Sequence, residues 1–459
     1  MFRLHNTIRD YAWGSTTALA GLTGRTPTGR PEAEMWIGAH PGAPSRVEPL
    51  AGRPPGPAEA SYDGATALDA ADREGLPGLD ELLSASPELL GEDTARRFGG
   101  LPFLAKLLAA AAPLSLQVHP SRERARAGFA AEERAGVPRS APHRNYKDEY
   151  HKPELLFALT PFRALCGFRE PSASARLFEV LAGSPAVGEE AAEAARALAG
   201  RLHDGDIAGA FTALLGGERR EVTAAVAALV REAPAAVADL TRDGADPDPG
   251  LVELESIARH YPGDPGTLIS LLLNHVTLEP GEAIALPAGN VHAYLDGLGV
   301  EVMASSDNVL RGGLTPKHVD VAELLSTVDF RPLPVPYVRP EQTSGVSGPA
   351  PRSAVYRPGF EEFQLQHLHW PAGAAGPGTP APLAVEANGP VVVVATAGAV
   401  RLESSAGSLV LRPGEAAFVP AGEAPLTTRP EDSAGDADAG RDGGATAFAV
   451  TVPPRAPLP

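Results

Sequence analysis

Cysteine is nearly absent from this chain of 459 residues. The single cysteine, Cys166, excludes an intramolecular disulfide and fits a reducing compartment, and its setting in Ala-Leu-Cys-Gly-Phe predicts a small buried apolar residue. No apolar run is long enough to span a bilayer, and the first ten residues lack the apolar stretch of a signal peptide. We therefore expect a cytoplasmic protein.

Positive charge is also in deficit, since the formal net charge is -18. This charge argues against nucleic acid or an anionic membrane as the main partner. An anionic small molecule would need a local basic cluster that works against the field of the whole protein. The hydrophobic fraction of 43% supports substantial cores, and the length predicts two or three domains.

Lysine is scarce as well, because only four of the 39 basic residues are lysine. A chain so rich in arginine, alanine, glycine and proline has the composition of a GC-rich genome, where lysine is expected mainly at sites that arginine cannot serve. An ammonium is compact and shifts its pKa readily, whereas a guanidinium is planar and stays protonated. The four lysines lie beside the candidate site segments described below, and they are Lys106, Lys147, Lys152 and Lys317.

The periodicity of apolar residues changes along the chain. Short apolar runs predict strands at 114–119, 155–159 and 390–396, and residues 101–108 fit a short helix or a strand. Apolar spacing of three to four predicts helices over 189–198, 221–230 and 251–261. Residues 52–64 and 431–444 read as loops.

An internal repeat links two parts of the chain. Residues 278–292, from Leu278 to His292, recur as residues 411–425, from Leu411 to Pro425, and each copy predicts a turn, a strand and a second turn. Two small β-barrels are the natural interpretation. Since proline cannot bind a metal, we expect a metal only in the first barrel.

The first copy of the repeat resembles the second motif of the cupin superfamily. The matching residues are Gly281, Pro287, Gly289 and His292, with Asp296 where the motif has asparagine. In cupins this histidine binds a metal inside the barrel.

The predicted fold is mainly β with a helical insert, in the α+β class. It comprises a cupin-type jelly-roll catalytic domain formed by residues 1–170 and 262–335, a helical domain at 171–261, a linker at 336–352 and a degenerate cupin-like β-barrel at 353–459.

Four residues form a candidate ligand set. Gln117 and His119 are two apart in a predicted strand and would face one cavity, although a solvated polar pair is the alternative. Glu154 opens an apolar strand after Pro153, where a carboxylate is costly unless it is paired or bound to a metal. With His292 they offer two imidazoles and two oxygens, a set that suits zinc and leaves manganese, iron and nickel open.

A second group of charges follows in the chain. Glu301 lies in an apolar strand, and Arg311 and Lys317 flank the turn Gly-Gly-Leu-Thr-Pro. The two glycines would allow a close approach of backbone and ligand. Arg311 and Lys317 can converge on one anion across this turn, and solvated surface charge is the alternative interpretation.

These motifs together resemble the type I phosphomannose isomerase family. The match runs in the order of the family over about residues 1–170 and 262–330. It rests on Tyr11-Ala-Trp-Gly-Ser, Ala33-Glu-Met-Trp-Ile-Gly-Ala-His-Pro, Pro102-Phe-Leu-Ala-Lys, Leu116-Gln-Val-His-Pro-Ser, Asn145-Tyr-Lys-Asp, His151-Lys-Pro-Glu and Asp307-Asn-Val-Leu-Arg-Gly-Gly-Leu-Thr-Pro-Lys. Two departures are Met35 in place of leucine and Glu149-Tyr150 in place of Pro-Asn.

The resemblance implies the interconversion of D-mannose 6-phosphate and D-fructose 6-phosphate by a monomer that holds one zinc ion per chain. Gln117, His119, Glu154 and His292 would bind the zinc. Arg311 would act near the reacting carbons, and Lys152 and Glu301 compete for the proton-transfer role. The other implied roles are phosphate contacts by Ser115, Lys106 and Lys317, and a sugar pocket shaped by Trp13, Glu34 and Tyr294.

Two other classes of protein remain as alternatives. A metal-dependent cupin oxygenase would use a redox metal and would need no phosphate anchor, and a sugar-binding cupin would perform no chemistry. The lysines at positions 106 and 317 favour the isomerase.

Overall fold

The computed structural model describes residues 1–49, 75–216, 223–242, 248–344, 350–372, 381–431 and 444–455. The predicted loop at 52–64 and most of the predicted loop at 431–444 lie outside these ranges. Among the described residues, no helix has both the length and the apolar character needed to cross a membrane.

Two sheets that share one long strand form the first barrel. Its strands are β2 (Thr7–Arg9), β3 (Glu34–Gly38), β5 (Phe103–Ala110), β6 (Gln117–Val118), β7 (Glu154–Ala158), β8 (Phe162–Phe168), β9 (Leu273–Leu278), β10 (Ala283–Leu286), β11 (His292–Ala304) and β12 (Leu310–Arg311). One sheet runs β10-β7-β11-β5-β3-β2, and the other runs β12-β6-β11-β8-β9. Strand β11 therefore contributes to both walls of the barrel.

The second barrel combines an eight-stranded and a four-stranded sheet. The first contains β1 (Phe2–His5), β4 (Arg46–Pro49), β13 (Glu341–Ser344), β14 (Arg352–Tyr356), β15 (Gln364–Trp370), β17 (Val391–Ala397), β20 (Ala416–Val419) and β22 (Ala445–Thr451). The second contains β16 (Leu383–Val385), β18 (Ala399–Ser404), β19 (Gly407–Leu411) and β21 (Leu426–Glu431).

Two features of the strand pairing bear on the predicted domain boundaries. Strands β1 and β4 belong to the second barrel, because β1 pairs with β20 in the register Phe2 to Phe418 and with β4 on its other side. The predicted linker at 336–352 contains β13, which pairs with β14. The pairing of β1 with β20 joins segments far apart along the chain, which local periodicity does not reveal.

Eleven α-helices are present in the described part of the chain. They are α1 (Ala18–Leu22), α2 (Leu79–Ala85), α3 (Glu92–Phe98), α4 (Arg122–Arg134), α5 (Pro171–Ala182), α6 (Glu189–His203), α7 (Ile207–Leu214), α8 (Ala224–Arg242), α9 (Pro249–His260), α10 (Gly266–Ile269) and α11 (Val321–Thr327). Helices α6, α8 and α9 lie where the apolar periodicity predicts helices. Asp206 and Asp248 cap two of the helices by accepting hydrogen bonds from backbone N–H groups.

The apolar residues pack the sheets and helices in layers. Strands β5, β7 and β11 direct alternate residues such as Leu107, Phe157 and Val302 onto the eight-stranded sheet, where they meet Phe448. The other wall of the first barrel packs against the helices through residues such as Leu116, in one core with residues of α5 to α10. The first barrel is therefore covered on one side by the second barrel and on the other by the helical insert.

The internal repeat is confirmed as a repeat of structure. In the first copy a strand ends at Leu278, β10 follows and β11 begins at His292. In the second copy a strand ends at Leu411, β20 follows and β21 begins just after Pro425. The segment 101–108, whose sequence fits either a helix or a strand, contributes most of β5. The predicted strand at 114–119 is limited to the two residues of β6.

Candidate active site

The interior of the first barrel receives alternate residues of its strands. On β5, Lys106 and Leu108 face the interior while Leu107 faces the second barrel. On β6, Val118 packs against the helices, so Gln117 faces the interior, as predicted from strand geometry. Apolar residues fill one part of this interior, and the charged residues described below occupy the rest.

His119 follows β6 and is fully buried. Its Nδ1 lies 2.9 Å from the backbone carbonyl oxygen of Asn308, which can only accept, so Nδ1 carries the hydrogen. The Nε2 lone pair then lies 3.2 Å from Oε1 of Glu154, and Nε2 has no hydrogen-bond partner among the described residues. Burial lowers the pKa of His119 to about 4, so the imidazole is neutral at pH 7.

His292 repeats this arrangement at the start of β11. Its Nδ1 lies 3.0 Å from the carbonyl oxygen of Asn290, and its Nε2 lies 3.3 Å from Oε2 of Glu154. The two imidazole rings are 5.1 Å apart between centroids. Backbone carbonyls that fix Nδ1–H and direct Nε2 inward are the usual support of metal-binding histidines.

Glu154 lies between the two imidazoles and is 2% exposed. Burial alone would raise the pKa of its carboxyl, but Lys152 and His119 hold that pKa well below its ordinary value. The ligand atoms of His119, Glu154 and His292 all lie within 4.8 Å of one another.

These residues fit a metal ion. Two nitrogen lone pairs that face an ionised carboxylate are three acceptors in one place, and only a cation between them makes the arrangement favourable. Two imidazoles and a carboxylate suit zinc. Gln117 is the immediate neighbour of His292 in the register of β6 and β11, so its amide oxygen could complete the set.

Lys152 and Lys106 are both buried beside carboxylates. The Nζ of Lys152 contacts Oε1 of Glu154. The Nζ of Lys106 is 2.7 Å from Glu301 and 3.3 Å from Glu34. Burial lowers the pKa of Lys106, but the two carboxylates outweigh burial, so that its pKa lies above the ordinary value.

Glu301 is 3% exposed, and its pKa is shifted in the opposite direction to that of Glu154. Burial raises the pKa of its carboxyl, and although Lys106 lowers the pKa, the nearby charge of Glu154 adds to the increase. Two carboxyl groups in one barrel therefore have pKa values shifted in opposite directions. In such a pair, the carboxyl with the raised pKa can act as an acid or base, and the one with the lowered pKa stays ionised.

Arg311 completes a row of three neighbours across adjacent strands. It is paired with Gln117 between β12 and β6, and Gln117 is paired with His292 between β6 and β11. Neighbouring strands lie about 4.8 Å apart, so these three side chains share one face. Arg311 is partly buried, which lowers the pKa of its guanidinium, and it has no ion-pair partner within the described ranges.

Two exposed lysines, Lys147 and Lys317, lie near Arg311. Burial and the charges of Arg311 and Lys147 lower the pKa of Lys317. Neither lysine forms an ion pair in the part of the chain that the structure describes. Three cations without counter-ions form the local basic cluster that an anionic ligand requires in a chain of this net charge.

Gly313, the second glycine after Arg311, lies against another segment of the backbone. A Cβ on Gly313 would lie 2.9 Å from the Cα of Gly266 in α10, and its φ is +128°. Gly313 therefore permits two backbone segments to approach each other closely. The close contact fixes the turn that follows Arg311.

The remaining predicted pocket residues surround the site less closely. Tyr294 follows His292 on the interior face of β11, is 4% exposed, and its hydroxyl has no hydrogen-bond partner among the described residues. Trp13 packs against the same apolar cluster as Tyr294. Ser115 is half-buried two residues before Gln117, and Glu34 accepts a hydrogen bond from Trp36.

Cys166 is fully buried in this barrel, as predicted. Burial raises the pKa of its thiol to about 12, so it is unreactive at neutral pH.

Asn308 is a supporting residue that the sequence analysis did not identify. Its backbone carbonyl holds His119, its Oδ1 accepts from the backbone N–H of Lys147, and its Nδ2 donates to Asp148 and Tyr150. Its position in the Asp307-Asn-Val segment was the available signal. A role exercised through a backbone carbonyl has no side-chain signature in a sequence.

Comparisons with known proteins give a consistent result. The family model for the phosphomannose isomerase type I catalytic domain matches residues 1–53 and 64–171. A mannose-6-phosphate isomerase of Escherichia coli is 37% identical over 434 residues, which cover 94% of this chain and 97% of the relative. A mannose-6-phosphate isomerase of Rattus norvegicus is 33% identical over 73% of this chain and 74% of the relative.

Solved structures agree with these sequence matches. A mutant phosphomannose isomerase from Salmonella typhimurium superposes with a TM-score of 0.78 at 33% identity and covers 98% of this chain and 99% of that one. A zinc-bound mannose 6-phosphate isomerase superposes with a TM-score of 0.77 at 33% identity and the same coverage.

Proposed function

The chain belongs to the type I phosphomannose isomerase family, and on this premise we propose that it interconverts D-mannose 6-phosphate and D-fructose 6-phosphate with one bound zinc ion. The observation that carries the proposal is the pair of buried imidazole lone pairs directed at Glu154. Beside them lies Arg311, which has no counter-ion in the described part of the chain. The relatives named as isomerases favour this function over an oxygenase or a sugar-binding cupin.

We assign Gln117, His119, Glu154 and His292 as the residues that hold the zinc. When bound there, zinc supplies a Lewis acid that polarises an oxygen of the sugar. The residues of the chain perform the other tasks, which are to anchor the phosphate, to orient the sugar and to move a proton between C2 and C1.

Glu301 is our candidate for the residue that moves this proton. Its raised pKa makes the carboxyl a better match to neutral pH than an ordinary glutamate, which is what general acid-base catalysis requires. The neighbouring Lys106 ammonium keeps Glu301 in one place and remains protonated.

Lys152 is our candidate for the proton donor in ring opening. Its buried ammonium contacts Glu154, so it lies directly beside the residues assigned to the zinc. We assign Arg311 to stabilise the negative charge that develops on the enediolate of the substrate. Its partly buried guanidinium has no competing carboxylate among the described residues.

The phosphate end of the site is assigned to Lys317, with Ser115 as a second contact. Lys317 is exposed and forms no ion pair with any described residue, so it can bind a new anion without losing one. The predicted phosphate contact of Lys106 stays a prediction, and its two ion pairs argue against it, because a phosphate would have to compete with Glu301 and Glu34. Trp13, Glu34 and Tyr294 are assigned to the sugar pocket.

A coupled assay tests the proposal directly. Purified protein loaded with zinc should convert mannose 6-phosphate into fructose 6-phosphate, and treatment with a chelator should abolish the conversion until zinc is restored. Mannose without the phosphate should be converted poorly, because it lacks the anchor. A zinc-loaded protein that leaves mannose 6-phosphate unchanged would refute the function. A cytoplasmic location and a monomeric state remain predictions.

A further inference from the structure

Glu362 belongs to the second barrel but contacts the first. It lies in the connection between β14 and β15, and Phe363 next to it is fully buried in the core between the two barrels. The Glu362 side chain is itself almost fully buried, with 4% of the residue exposed. A carboxylate at such a position is costly unless cations or donors compensate it.

Two donors of the first barrel meet one oxygen of Glu362. Its Oε1 lies 2.8 Å from Nη2 of Arg122 and 2.7 Å from Nε2 of His151. Arg122 is three residues after His119, and His151 is three residues before Glu154. One carboxylate of the second barrel therefore joins the two segments that carry these two ligands.

We propose that Glu362 is a positioning residue for the metal centre, through which the second barrel holds the segments of His119 and Glu154 at a fixed separation. The inference rests on the proposed assignment of these residues as zinc ligands. It gives the second barrel, which has Pro425 where the first has His292, a role in the activity of the first.

The charge of Glu362 is what makes the connection effective. Burial raises the pKa of its carboxyl, but the hydrogen bond from His151 and the charge of Arg122 outweigh burial, and the pKa lies below the ordinary value. Charge-assisted hydrogen bonds are roughly twice as strong as neutral ones. Without the carboxylate, two donors would face each other with no common acceptor, and both segments would lose their fixed separation.

The chain offers a matched control in the adjacent residue. Glu361 has the same charge and the same connection, but its side chain is 68% exposed, and its carboxylate oxygen is 3.8 Å from Arg97 and 4.0 Å from Arg122. Contacts at these distances on an exposed residue contribute little. Replacement of Glu361 changes the charge of the loop without removing the connection between the two ligand segments.

The test compares the full-length variants E362A, E362Q and E361A with the wild type. Zinc affinity is measured by competition with a chromogenic chelator, at a temperature where circular dichroism shows every variant folded, and kcat and KM for mannose 6-phosphate are measured on zinc-loaded protein. We expect E362A to bind zinc about 10-fold more weakly, at the lower end of the effect of outer-shell partners. E362Q should be intermediate, because its amide oxygen can still accept from one donor, and E361A should match the wild type.

The outcomes separate positioning from simple stability. A lower kcat with nearly unchanged KM and weaker zinc binding in E362A supports positioning. Wild-type zinc affinity and kcat in E362A, with only a lower unfolding temperature, overturn it. If E362A does not fold, the same criteria are applied to the zinc affinity and kcat of E362Q relative to those of E361A. If the wild type does not isomerise mannose 6-phosphate, the proposed function fails, whereas the zinc competition still tests the position of Glu362.

Discussion

The individual residues of the site are explained by which atoms can donate and which can only accept. Backbone carbonyls fix the Nδ1 hydrogens of His119 and His292, so both Nε2 lone pairs must face Glu154. Because no hydrogen can lie between these atoms in the neutral tautomers, the buried cluster is complete only with a cation. The buried carboxyl of Glu154 keeps a lowered pKa because the ammonium of Lys152 contacts it and offsets the effect of burial.

Replacement of either histidine should remove the metal. In H119A or H292A, one neutral ligand and its fixed geometry are lost, so we expect zinc content to fall from one ion per chain to near zero and activity to fall with it. Elemental analysis after dialysis measures the first effect. The control is H203A, because His203 is half-exposed in the helical insert and its replacement should leave one zinc bound. Two tightly held zinc ions in the wild type would contradict a single site.

Replacement of Lys317 and replacement of Arg311 should change different kinetic constants. In K317A the substrate loses a phosphate contact present in both the ground and the transition state, so KM should rise about 10-fold or more while kcat changes little. In R311A the developing charge loses its stabilising partner, so kcat should fall by about 100-fold or more. Steady-state kinetics on mannose 6-phosphate distinguish the two patterns. The reverse pattern would mean that the phosphate end and the reacting end have been exchanged.

The sequence was informative about ligands and less so about their partners. Gln117 and His119 could be placed in one cavity, because strand geometry fixes which residues share a face. The ion pairs of Lys106 with Glu301 and Glu34 could not be predicted, because they depend on the registers of β3, β5 and β11. Charge alone suggested a phosphate contact, and only the packing shows two carboxylates already there.

Among the elements, strand β11 and the turn after β12 determine the shape of the site. Strand β11 carries His292 at one end and Glu301 near the other, and its register with β8 shifts between Tyr294 and Asp296. This shift lets one strand serve both sheets. The turn after β12 depends on the close approach of Gly313 to α10.

A side chain at Gly313 should damage both stability and activity. In G313A the new Cβ would meet the Cα of Gly266 at 2.9 Å, and the φ of +128° is unfavourable for alanine. We expect a loss of about 2 kcal/mol or more in the free energy of unfolding and a lower kcat, because the displaced turn moves Arg311. The control is G359A, where φ is +85° but no atom lies within 4 Å, so only the conformational cost of about 1 kcal/mol applies. Chemical denaturation measures both losses, and equal losses would contradict the steric argument.

The elements were predictable where one periodicity persists for many residues. Helices α6, α8 and α9 follow the spacing of three to four along the helical insert. Strand β5 was ambiguous between helix and strand, because both of its faces are buried and its apolar run does not alternate. Strand β6 is shorter than predicted, since only Gln117 and Val118 form ladder pairs with β11 and β12. Leu114 contacts β11 through a single hydrogen bond from its backbone N–H to the carbonyl oxygen of Tyr294.

At the scale of the whole molecule, the catalytic barrel is enclosed between a second barrel and a helical layer. The buried interface between the barrels includes His367 of β15, whose ring lies against Phe157 of the first barrel and Phe448 of the second. Burial lowers the pKa of His367 to about 3, with smaller contributions from His369 and Arg352. The interface therefore requires a neutral imidazole.

This histidine should make the folded protein sensitive to acid. An unfolded histidine binds a proton below about pH 6.5, whereas folded His367 stays neutral until about pH 3, so its contribution to stability is present above pH 6.5 and is lost as the pH falls through this range. In H367F the ring contacts are kept without a titrating group. We expect the unfolding temperature of the wild type to fall more steeply between pH 6.5 and pH 4 than that of H367F.

An exposed histidine provides the comparison for this measurement. His260 lies at the exposed end of α9, and H260Q should keep the steeper pH dependence of the wild type. Calorimetry over the pH series gives all three curves. Parallel curves for the wild type and H367F would show that the buried imidazole does not control the acid sensitivity.

The pairing of β1 with β20 has a consequence for protein synthesis. Phe2 and Leu4 are made early, and their partners Phe418 and Ala416 are made more than 400 residues later. At about 5–20 residues per second, strand β1 waits for roughly 20 to 80 seconds before its neighbour exists. During translation, the nascent chain therefore carries an apolar edge strand without its neighbour β20, which is the kind of segment that pairs with the wrong chain. Crowded ribosomes on one messenger RNA would bring several such segments close together, so we expect the yield of folded enzyme to depend on how rapidly the last barrel is translated.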